Sequence, residues 1–248
     1  MISFQGVHKS FGSKVVLKDL CFELEPEKIY SLLGESGSGK TTALRLMNRL
    51  LAAESGNIKI FGKPIDNIDP VSLRRKMGYA IQGSGLFPHM TIKENISLVA
   101  KQSGWSKNKI NQRADELMEM VNLPPKQYLH LKPRQISGGQ KQRVGFVRAL
   151  FLKPKLVLMD EPFSALDPIT REEVQDEFLS MQKKLKFTAM IVTHDLSEAF
   201  KLSDKVLMLN QGNLDQFDKP SEIINNPKTD YVKKLVSRFL KSREINYV

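Results

Sequence analysis

A glycine-rich stretch of eight residues, 34–41, constrains the fold of this chain more than any other feature. It reads Gly-Glu-Ser-Gly-Ser-Gly-Lys-Thr and matches the pattern G-x-x-x-x-G-K-[ST] of a phosphate-binding loop. An apolar run, 29–33, precedes it, and a helix-like run, 42–51, follows it. The pattern requires this order of strand, loop and helix, which favours a phosphate-binding loop over a chance glycine-rich turn.

Each residue type in this loop has a chemical reason. Gly34, Gly37 and Gly39 let the backbone fold tightly, so that successive N–H groups point into one concavity for anions. The helix that follows adds the positive end of its dipole. Lys40 can reach the terminal phosphates of a nucleotide, and the Thr41 hydroxyl can hold Mg²⁺.

Length and charge limit the classes of protein to consider. The chain has 248 residues, which is enough for a large core in one domain or two. No apolar run approaches the ~20 residues of a membrane span, and the first residues do not resemble a signal peptide. The net charge is +11, but the basic residues are spread along the chain, with a modest cluster at residues 233–243. Since no nucleic-acid-binding module is recognisable, we expect no nucleic-acid partner.

The chain has one cysteine, Cys21, which rules out an internal disulfide and fits a reducing compartment. Cys21 lies in an apolar, strand-like run. The sequence therefore predicts that it is a small core residue.

Short apolar runs alternate with helical patterns, which favours an α/β fold. The early and late strands are typical of hairpins, and residues 91–121 show only helical spacing until Pro124 and Pro125. The chain from Pro220 onward is predicted to be helical and basic. The predicted strands are residues 2–7, 15–24, 29–33, 58–61, 77–81, 156–159, 189–193, 205–209 and 214–217.

A second candidate for site chemistry is the apolar run 156–159, which is followed by Asp160 and Glu161. Ligands gather at the carboxyl ends of parallel strands. Asp160 is therefore placed to anchor Mg²⁺ through water, and Glu161 to orient or activate a water against a γ-phosphate. The alternative is an exposed turn at a strand end, which the upstream phosphate loop disfavours.

The third candidate is Ile-Ser-Gly-Gly-Gln at residues 136–140. Ser137 and Gln140 have the spacing of a capping box, which is a purely structural role. However, two glycines in a first turn disfavour the helix and favour close approach of the backbone to a ligand. One phosphate loop already serves the nucleotide of its own chain. A head-to-tail pair, in which each chain covers the other's ATP, would use both motifs.

Taken in order, these motifs resemble the ATP-binding subunit of an ABC transporter over nearly the whole chain. The resemblance implies an α/β fold with a P-loop NTPase core of the ABC ATPase type, a strand-rich N-terminal part and an inserted helical subdomain. It implies one domain, with a core at about 1–85 and 135–218, an insert at about 86–134 and a helical tail at about 219–248.

The resemblance also assigns roles to residues. Catalytic roles fall on Glu161, Gln82 after a strand, and His194, which matches the switch histidine at the γ-phosphate. Mg²⁺ would be held by Thr41, Gln82 and Asp160. Phe11 corresponds to the aromatic residue that stacks on adenine, where the family usually has tyrosine; a core or loop phenylalanine is the alternative. The ATP-contacting residues are Phe11, Gly34, Glu35, Ser36, Gly37, Ser38, Gly39, Lys40, Thr41, Thr42, Ser137, Gly138, Gly139, Gln140 and Asp167.

The implied mechanism is closure of a homodimer around two ATP molecules and its reopening on hydrolysis. The helical insert and the segment after Gln82 would pass this motion to membrane permease subunits on other chains, with a solute-binding protein involved indirectly. The resemblance also implies that the chain is peripheral, at the cytoplasmic face of the membrane. A soluble ABC ATPase is a weaker alternative, because such proteins typically carry coiled coils or two ATPase halves. A P-loop protein of the kinase type would not need the motif at 136–140.

The stretches 78–91 and 162–171 resemble those of importers for glycine betaine, choline and related osmoprotectants. Importers of polar amino acids are the nearest alternative. Many osmoprotectant ATPases carry a C-terminal pair of CBS modules, whereas this chain ends at Val248. The expectation is therefore a compatible-solute importer without CBS-type sensing of ionic strength in this subunit.

Overall fold

The computed structural model describes the backbone of residues 1–244 and the side chains of residues 1–241. Its strands are β1 (Ile2–Phe11), β2 (Lys14–Leu24), β3 (Ile29–Leu33), β4 (Ser55–Ile60), β5 (Lys63–Pro64), β6 (Met77–Ala80), β7 (Leu156–Asp160), β8 (Thr188–Thr193), β9 (Lys205–Asn210) and β10 (Asn213–Asp218). Its helices are α1 (Lys40–Met47), α2 (Pro70–Arg75), α3 (Ile92–Gln102), α4 (Lys107–Met120), α5 (Pro125–Tyr128), α6 (Gly138–Leu150), α7 (Pro168–Leu185), α8 (Leu196–Leu202), α9 (Pro220–Asn225) and α10 (Asp230–Glu244).

The chain divides into two compact units, one of residues 1–70 and 188–248 and the other of residues 71–187. The insert boundaries expected at 86–134 stay a prediction, because the second unit contains two strands as well as the helices of that region. Of the predicted C-terminal tail, residues 245–248 lie outside the described residues.

The first unit contains two sets of paired strands. One is antiparallel, in the order β2-β1-β4-β5. In the other, β3 pairs in parallel with both β8 and β9, and β10 forms an antiparallel hairpin with β9. All five residues of β3 are buried, as expected for a central parallel strand. The two predicted hairpins, β1–β2 and β9–β10, are confirmed, and β1 extends four residues beyond the predicted end.

Within the first unit, the C-terminal helix α10 packs through Val232 and Val236, which form an apolar cluster with Leu33 of β3 and Ala199 of α8. Such spacing on one side of a helix is the pattern that buries an apolar stripe. The other side of α10 carries exposed lysines, so much of its basic charge is solvated.

The second unit pairs β6 and β7 in parallel and also contains helices α3 to α7. Helices α3 and α4 begin at the N-caps Thr91 and Ser106, whose side chains accept hydrogen bonds from the backbone N–H groups of Glu94 and Lys109. The prediction of purely helical structure for residues 91–121 is confirmed by α3 and α4. In the described part of the chain, no helix combines the length and the hydropathy needed to cross a membrane.

The predicted burial of Cys21 is wrong. Its neighbours Leu20 and Phe22 are buried in β2, so the alternation of a strand places Cys21 on the opposite, exposed face. There its Sγ accepts a hydrogen bond from the backbone N–H of Gly6 at 3.0 Å.

Candidate functional site

The loop at residues 34–41 has the tight backbone that its sequence predicts. Gly37 and Gly39 have φ angles of 81° and 104°, in the left-handed region that side chains rarely adopt. A Cβ atom at Gly34 would lie 2.2 Å from the carbonyl oxygen of Leu209, so only glycine fits there. The loop therefore needs glycine for two reasons, backbone conformation and close approach.

Lys40 lies inside this loop, with only 6% of its surface exposed. Its Nζ donates hydrogen bonds to the carbonyl oxygens of Gly34 at 2.7 Å and Glu35 at 2.9 Å. The ammonium group is thereby held in the concavity that the loop encloses. This position is the one from which a lysine reaches the terminal phosphates of a nucleotide.

Two further observations test whether phosphate groups fit the loop. Helix α1 has Gly39 at its N-cap and no capping side chain, so it presents the positive end of its dipole where an anion can bind. The Ser38 hydroxyl is buried and has no hydrogen-bond partner among the described residues. Backbone donors, a hydroxyl and an ammonium group in one concavity suit the oxygens of a polyphosphate, and Thr41 follows directly for the metal that accompanies it.

His194 lies at the same edge of the first unit's parallel strands as the loop. In the register of β3 and β8, Leu33 is paired with Thr193, so Gly34 and His194 follow paired residues. His194 is exposed, and Asp195 behind it caps α8 by accepting hydrogen bonds from the N–H groups of Ser197 and Glu198. The structure thus brings the predicted switch histidine and the loop to one edge.

Phe11 ends strand β1 and is 50% exposed, so it is not a core residue. The Lys9 Nζ lies 5.4 Å from the centroid of its ring and pairs with Glu54 at 3.6 Å. An exposed aromatic ring is able to stack on a base. This geometry is compatible with the predicted role of Phe11, which stays a prediction.

In the second unit, Gln82 and the carboxylates at the end of β7 lie at a common strand end. Ala80 is paired with Met159, so Gln82 follows one strand while Asp160 and Glu161 continue from the other. Glu161 has a φ angle of 45°, and its carbonyl oxygen accepts a hydrogen bond from the Ser164 Oγ at 2.9 Å. A left-handed residue other than glycine costs about 1–3 kcal/mol and is concentrated at functional sites.

The motif at residues 136–140 forms the capping box that is the structural alternative for these residues. Ser137 is the N-cap of α6 and accepts from the Gln140 N–H at 3.3 Å, while the Gln140 Oε1 accepts from the Ser137 N–H at 2.9 Å. Gly138 and Gly139 lie in the first turn of this helix, where glycine is disfavoured, and their predicted contact with a ligand stays a prediction. The reciprocal cap compensates for their low helix propensity.

The segment before α7 is fixed by Asp167, the N-cap of that helix. Its carboxylate accepts a hydrogen bond from the Thr170 N–H at 3.0 Å, and this bond holds the pKa of Asp167 below its ordinary value. A Cβ atom on Gly139 would lie 2.5 Å from the Cγ2 of Thr170. The first turns of α6 and α7 are therefore packed closely within the second unit.

The predicted residues thus form two groups, each within one unit. Residues 34–42 and His194 share an edge in the first unit, with Phe11 in that same unit. In the second unit, Gln82 shares a strand end with Asp160 and Glu161, and the starts of α6 and α7 are in contact.

Two supporting residues are absent from the sequence-based predictions. Tyr128, whose hydroxyl accepts a hydrogen bond from the Gln140 Nε2 at 3.1 Å, gives no signal in the sequence. Arg148 does carry a signal, because it interrupts an apolar helical run.

Comparison with known proteins gives a consistent result. A family model described as ABC transporter matches residues 17–164. The osmoprotectant import ATP-binding protein OsmV of Salmonella typhimurium is 50% identical over 96% of this chain and 64% of its own length. The glycine betaine/carnitine/choline transport ATP-binding protein OpuCA of Bacillus subtilis is 44% identical over 98% of this chain and 64% of its own length.

Solved structures agree with these relatives. CbiO1 of Clostridium perfringens, part of an ABC transporter complex, superposes with a TM-score of 0.85 at 24% identity, covering 100% of this chain and 98% of that one, and shows the shared fold. A dimeric ATP-binding cassette bound to ADP and Pi superposes with a TM-score of 0.76 at 28% identity, covering 89% of this chain and 99% of that one.

The chain spans less than two thirds of the length of the two curated relatives, 64% of each. The family model, however, covers more than half of this chain and contains its phosphate loop, the glycine motif at residues 136–140 and the Asp160–Glu161 pair. With its cassette fold and its loop built for phosphate oxygens, the chain belongs to the ABC transporter family.

Proposed function

We propose that this chain is the ATP-hydrolysing subunit of an ABC importer for glycine betaine, choline or a related osmoprotectant. The observation that carries the ATPase proposal is the phosphate loop, with Gly37 and Gly39 left-handed and Lys40 buried inside it. The solute rests on the names of relatives that are 50% and 44% identical to this chain.

Residues of this chain would bind both the base and the phosphates of ATP. Phe11 would stack on the base, and residues 34–42 would surround the phosphates with N–H groups and the Lys40 ammonium. Thr41, Gln82 and Asp160 would hold Mg²⁺, which offsets the negative charge of the phosphate oxygens when bound.

Hydrolysis would depend on Glu161 and His194. The Glu161 carboxylate orients the attacking water and accepts its proton, while the His194 imidazole donates a hydrogen bond to the terminal phosphate. The backbone at Glu161 is left-handed, and its carbonyl accepts a hydrogen bond from the Ser164 hydroxyl. This conformation would fix the direction in which the Glu161 side chain points. Positioning and electrostatic stabilisation of this kind supply most of the catalysis in phosphoryl transfer.

Two chains would form a homodimer with composite sites. Residues 137–140 and Asp167 of one chain would contact the ATP held by the other. The N-terminus of α6 supports this proposal, because it presents glycine backbone and the positive end of a helix of 13 residues. A solved cassette at 28% identity is itself dimeric and bound to ADP and Pi.

A groove of about 410 Å³ in the second unit is the proposed contact for a permease subunit. Its lining includes Ile81, Phe87 and Val99, which are 38%, 42% and 38% exposed, together with Arg74 and Arg75. Clustered exposed apolar side chains mark protein contacts. Docking here would hold the chain peripherally at the cytoplasmic face of the membrane, with a solute-binding protein acting through the permease.

The test is reconstitution of the chain with its permease and solute-binding partners in liposomes. ATPase activity is measured with glycine betaine, choline and polar amino acids. We expect stimulation by the quaternary ammonium compounds. Stimulation by an amino acid alone would overturn the solute proposal and leave the ATPase proposal intact, whereas absence of any ATP hydrolysis would overturn both.

A further inference from the structure

The segment that follows Gln82 has an unusual backbone conformation. Gly83, Ser84 and Gly85 have φ angles of 72°, 64° and 53°, so three consecutive residues are left-handed. Glycine tolerates this region, but a serine is strained in it. The Gly85 N–H donates to the Gly83 carbonyl at 2.8 Å, and Ser84 is buried. A strained and buried turn of this kind persists only where its surroundings hold it.

Arg148 of α6 holds this turn. Its Nη1 donates to the Gly85 carbonyl at 2.6 Å, and its Nη2 donates to the Ser84 carbonyl at 2.9 Å. The guanidinium is half-buried, and burial lowers the pKa of Arg148 from its ordinary value. No carboxylate in the described part of the chain is paired with it. The planar fork of arginine suits two neighbouring acceptors, which a lysine cannot reproduce.

Helix α6 connects this clamp to the motif at its other end. Ser137 caps its first turn and Arg148 lies in its last turn, eleven residues later and about 16 Å along the axis. Between them, a Cβ atom on Gly145 would lie 3.6 Å from the Ser84 Cα, so the helix runs directly against the turn. Because Val144, Phe146 and Val147 are buried in close packing, α6 behaves as a rigid rod.

We propose that Arg148 is a positioning residue, which makes the turn after Gln82 move as one body with α6. This inference rests on the proposed function, in which Gln82 and Ser137 act on ATP. When the partner's nucleotide draws the start of α6 into place, the guanidinium at its end sets the position of Gln82. Arg148 also lines the groove proposed for the permease, so docking there acts on the same turn.

The test is a double-mutant cycle between Arg148→Lys and Gln82→Ala in the full chain. Arg148→Lys is expected to leave ATP affinity unchanged and to lower the maximal ATPase rate about tenfold, with no further loss in the Gln82→Ala background. The matched control is Arg143→Lys. Arg143 lies on the same helix but binds Glu177 at 2.6 Å and Glu173 at 3.4 Å on α7. Its effect is expected to add to that of Gln82→Ala.

Hydrogen exchange supplies a readout that does not require hydrolysis. The amides of residues 83–86 are expected to exchange at least about tenfold faster in Arg148→Lys, whereas Arg143→Lys leaves them unchanged. The proposal would be overturned if the effect of Arg148→Lys added to that of Gln82→Ala, or if Arg148→Lys left the exchange rates unaltered. If the wild-type protein hydrolysed no ATP, only the proposed function would be overturned. If Arg148→Lys does not fold, exchange of the Gly85 amide in wild-type protein decides: protection supports the clamp, and exchange at the rate of an open loop refutes it.

Discussion

Replacing Ser137 with alanine tests whether its hydroxyl only caps a helix or also makes the proposed contact with a nucleotide. The Ser137 Oγ caps α6 through the Gln140 N–H at 3.3 Å, and in the proposed dimer the same residue contacts the partner's ATP. Ser137 is exposed, so its replacement removes no packing. The loss of the cap alone should cost about 1 kcal/mol of unfolding free energy. For a chain of this size that corresponds to a fall in melting temperature of roughly 2–4 °C.

The variant Ser137→Asn distinguishes the cap from the nucleotide contact. Asparagine caps helices about as well as serine, so its thermal unfolding should match that of the wild type. If the hydroxyl also contacts ATP, both Ser137→Ala and Ser137→Asn should lose most of the ATPase activity while each chain still binds ATP. A matched control is Ser106→Ala. Ser106 caps α4 through the Lys109 N–H at 3.4 Å, so the variant should lose similar stability and keep full activity.

Activity and unfolding are measured on the same preparations, by phosphate release and by calorimetry. Mixing Ser137→Ala chains with Lys40→Ala chains should restore one competent site per heterodimer, because each partner supplies what the other lacks. The reasoning is refuted if Ser137→Ala unfolds a few degrees earlier but hydrolyses ATP normally. Full activity of Ser137→Asn alongside an inactive Ser137→Ala would equally show that only the cap matters.

Three other predictions concern single side chains. Glu161→Gln should abolish turnover but retain ATP and stabilise the dimer, since the amide keeps the shape and loses the charge; near wild-type phosphate release would contradict its role. Lys40→Ala should weaken ATP binding itself at least about tenfold, because it removes the buried ammonium, and an unchanged titration would contradict the loop assignment. The hydrogen bond from the Thr170 N–H lowers the pKa of the Asp167 carboxyl in the folded chain. The ionised carboxylate therefore stabilises the fold at pH values above its ordinary pKa of 3.8, and this stability is lost as the pH falls through the lower pKa of the folded chain. Asp167→Asn should keep the cap and weaken this acid dependence in unfolding curves; an unaltered acid limb would show that Asp167 does not contribute to it.

Local patterns explain how much of the fold and site could be predicted. The phosphate loop is contiguous: Gly37 and Gly39 adopt left-handed backbone, and Lys40 binds a carbonyl oxygen of the same loop, so short-range interactions define its shape. Buried parallel strands are continuous apolar runs, so the ends of those runs correctly predict that Asp160 and His194 lie at strand ends. The two hairpins and the helical region were predictable for the same reason.

Where the sequence alone failed, the deciding contacts were cooperative or distant. The face on which Cys21 lies depends on the register of β2, and one residue of shift would exchange exposed and buried faces. The start of α6 is different, because the sequence already shows the spacing of the Ser137 and Gln140 capping box, which offsets the low helix propensity of Gly138 and Gly139.

The position of Glu161 directly after β7 could be predicted, and its catalytic role stays a prediction, but its left-handed backbone could not be predicted. The Ser164 hydroxyl that binds its carbonyl acts across a turn whose shape only the folded chain defines. The Arg148 clamp spans 63 residues to Gly85 and 64 to Ser84. The sequence by itself determined the chemistry of each motif, because that chemistry lies in adjacent residues. Tertiary structure decided which side chains support them, because hydrogen bonds between remote segments form only when packing brings their atoms together.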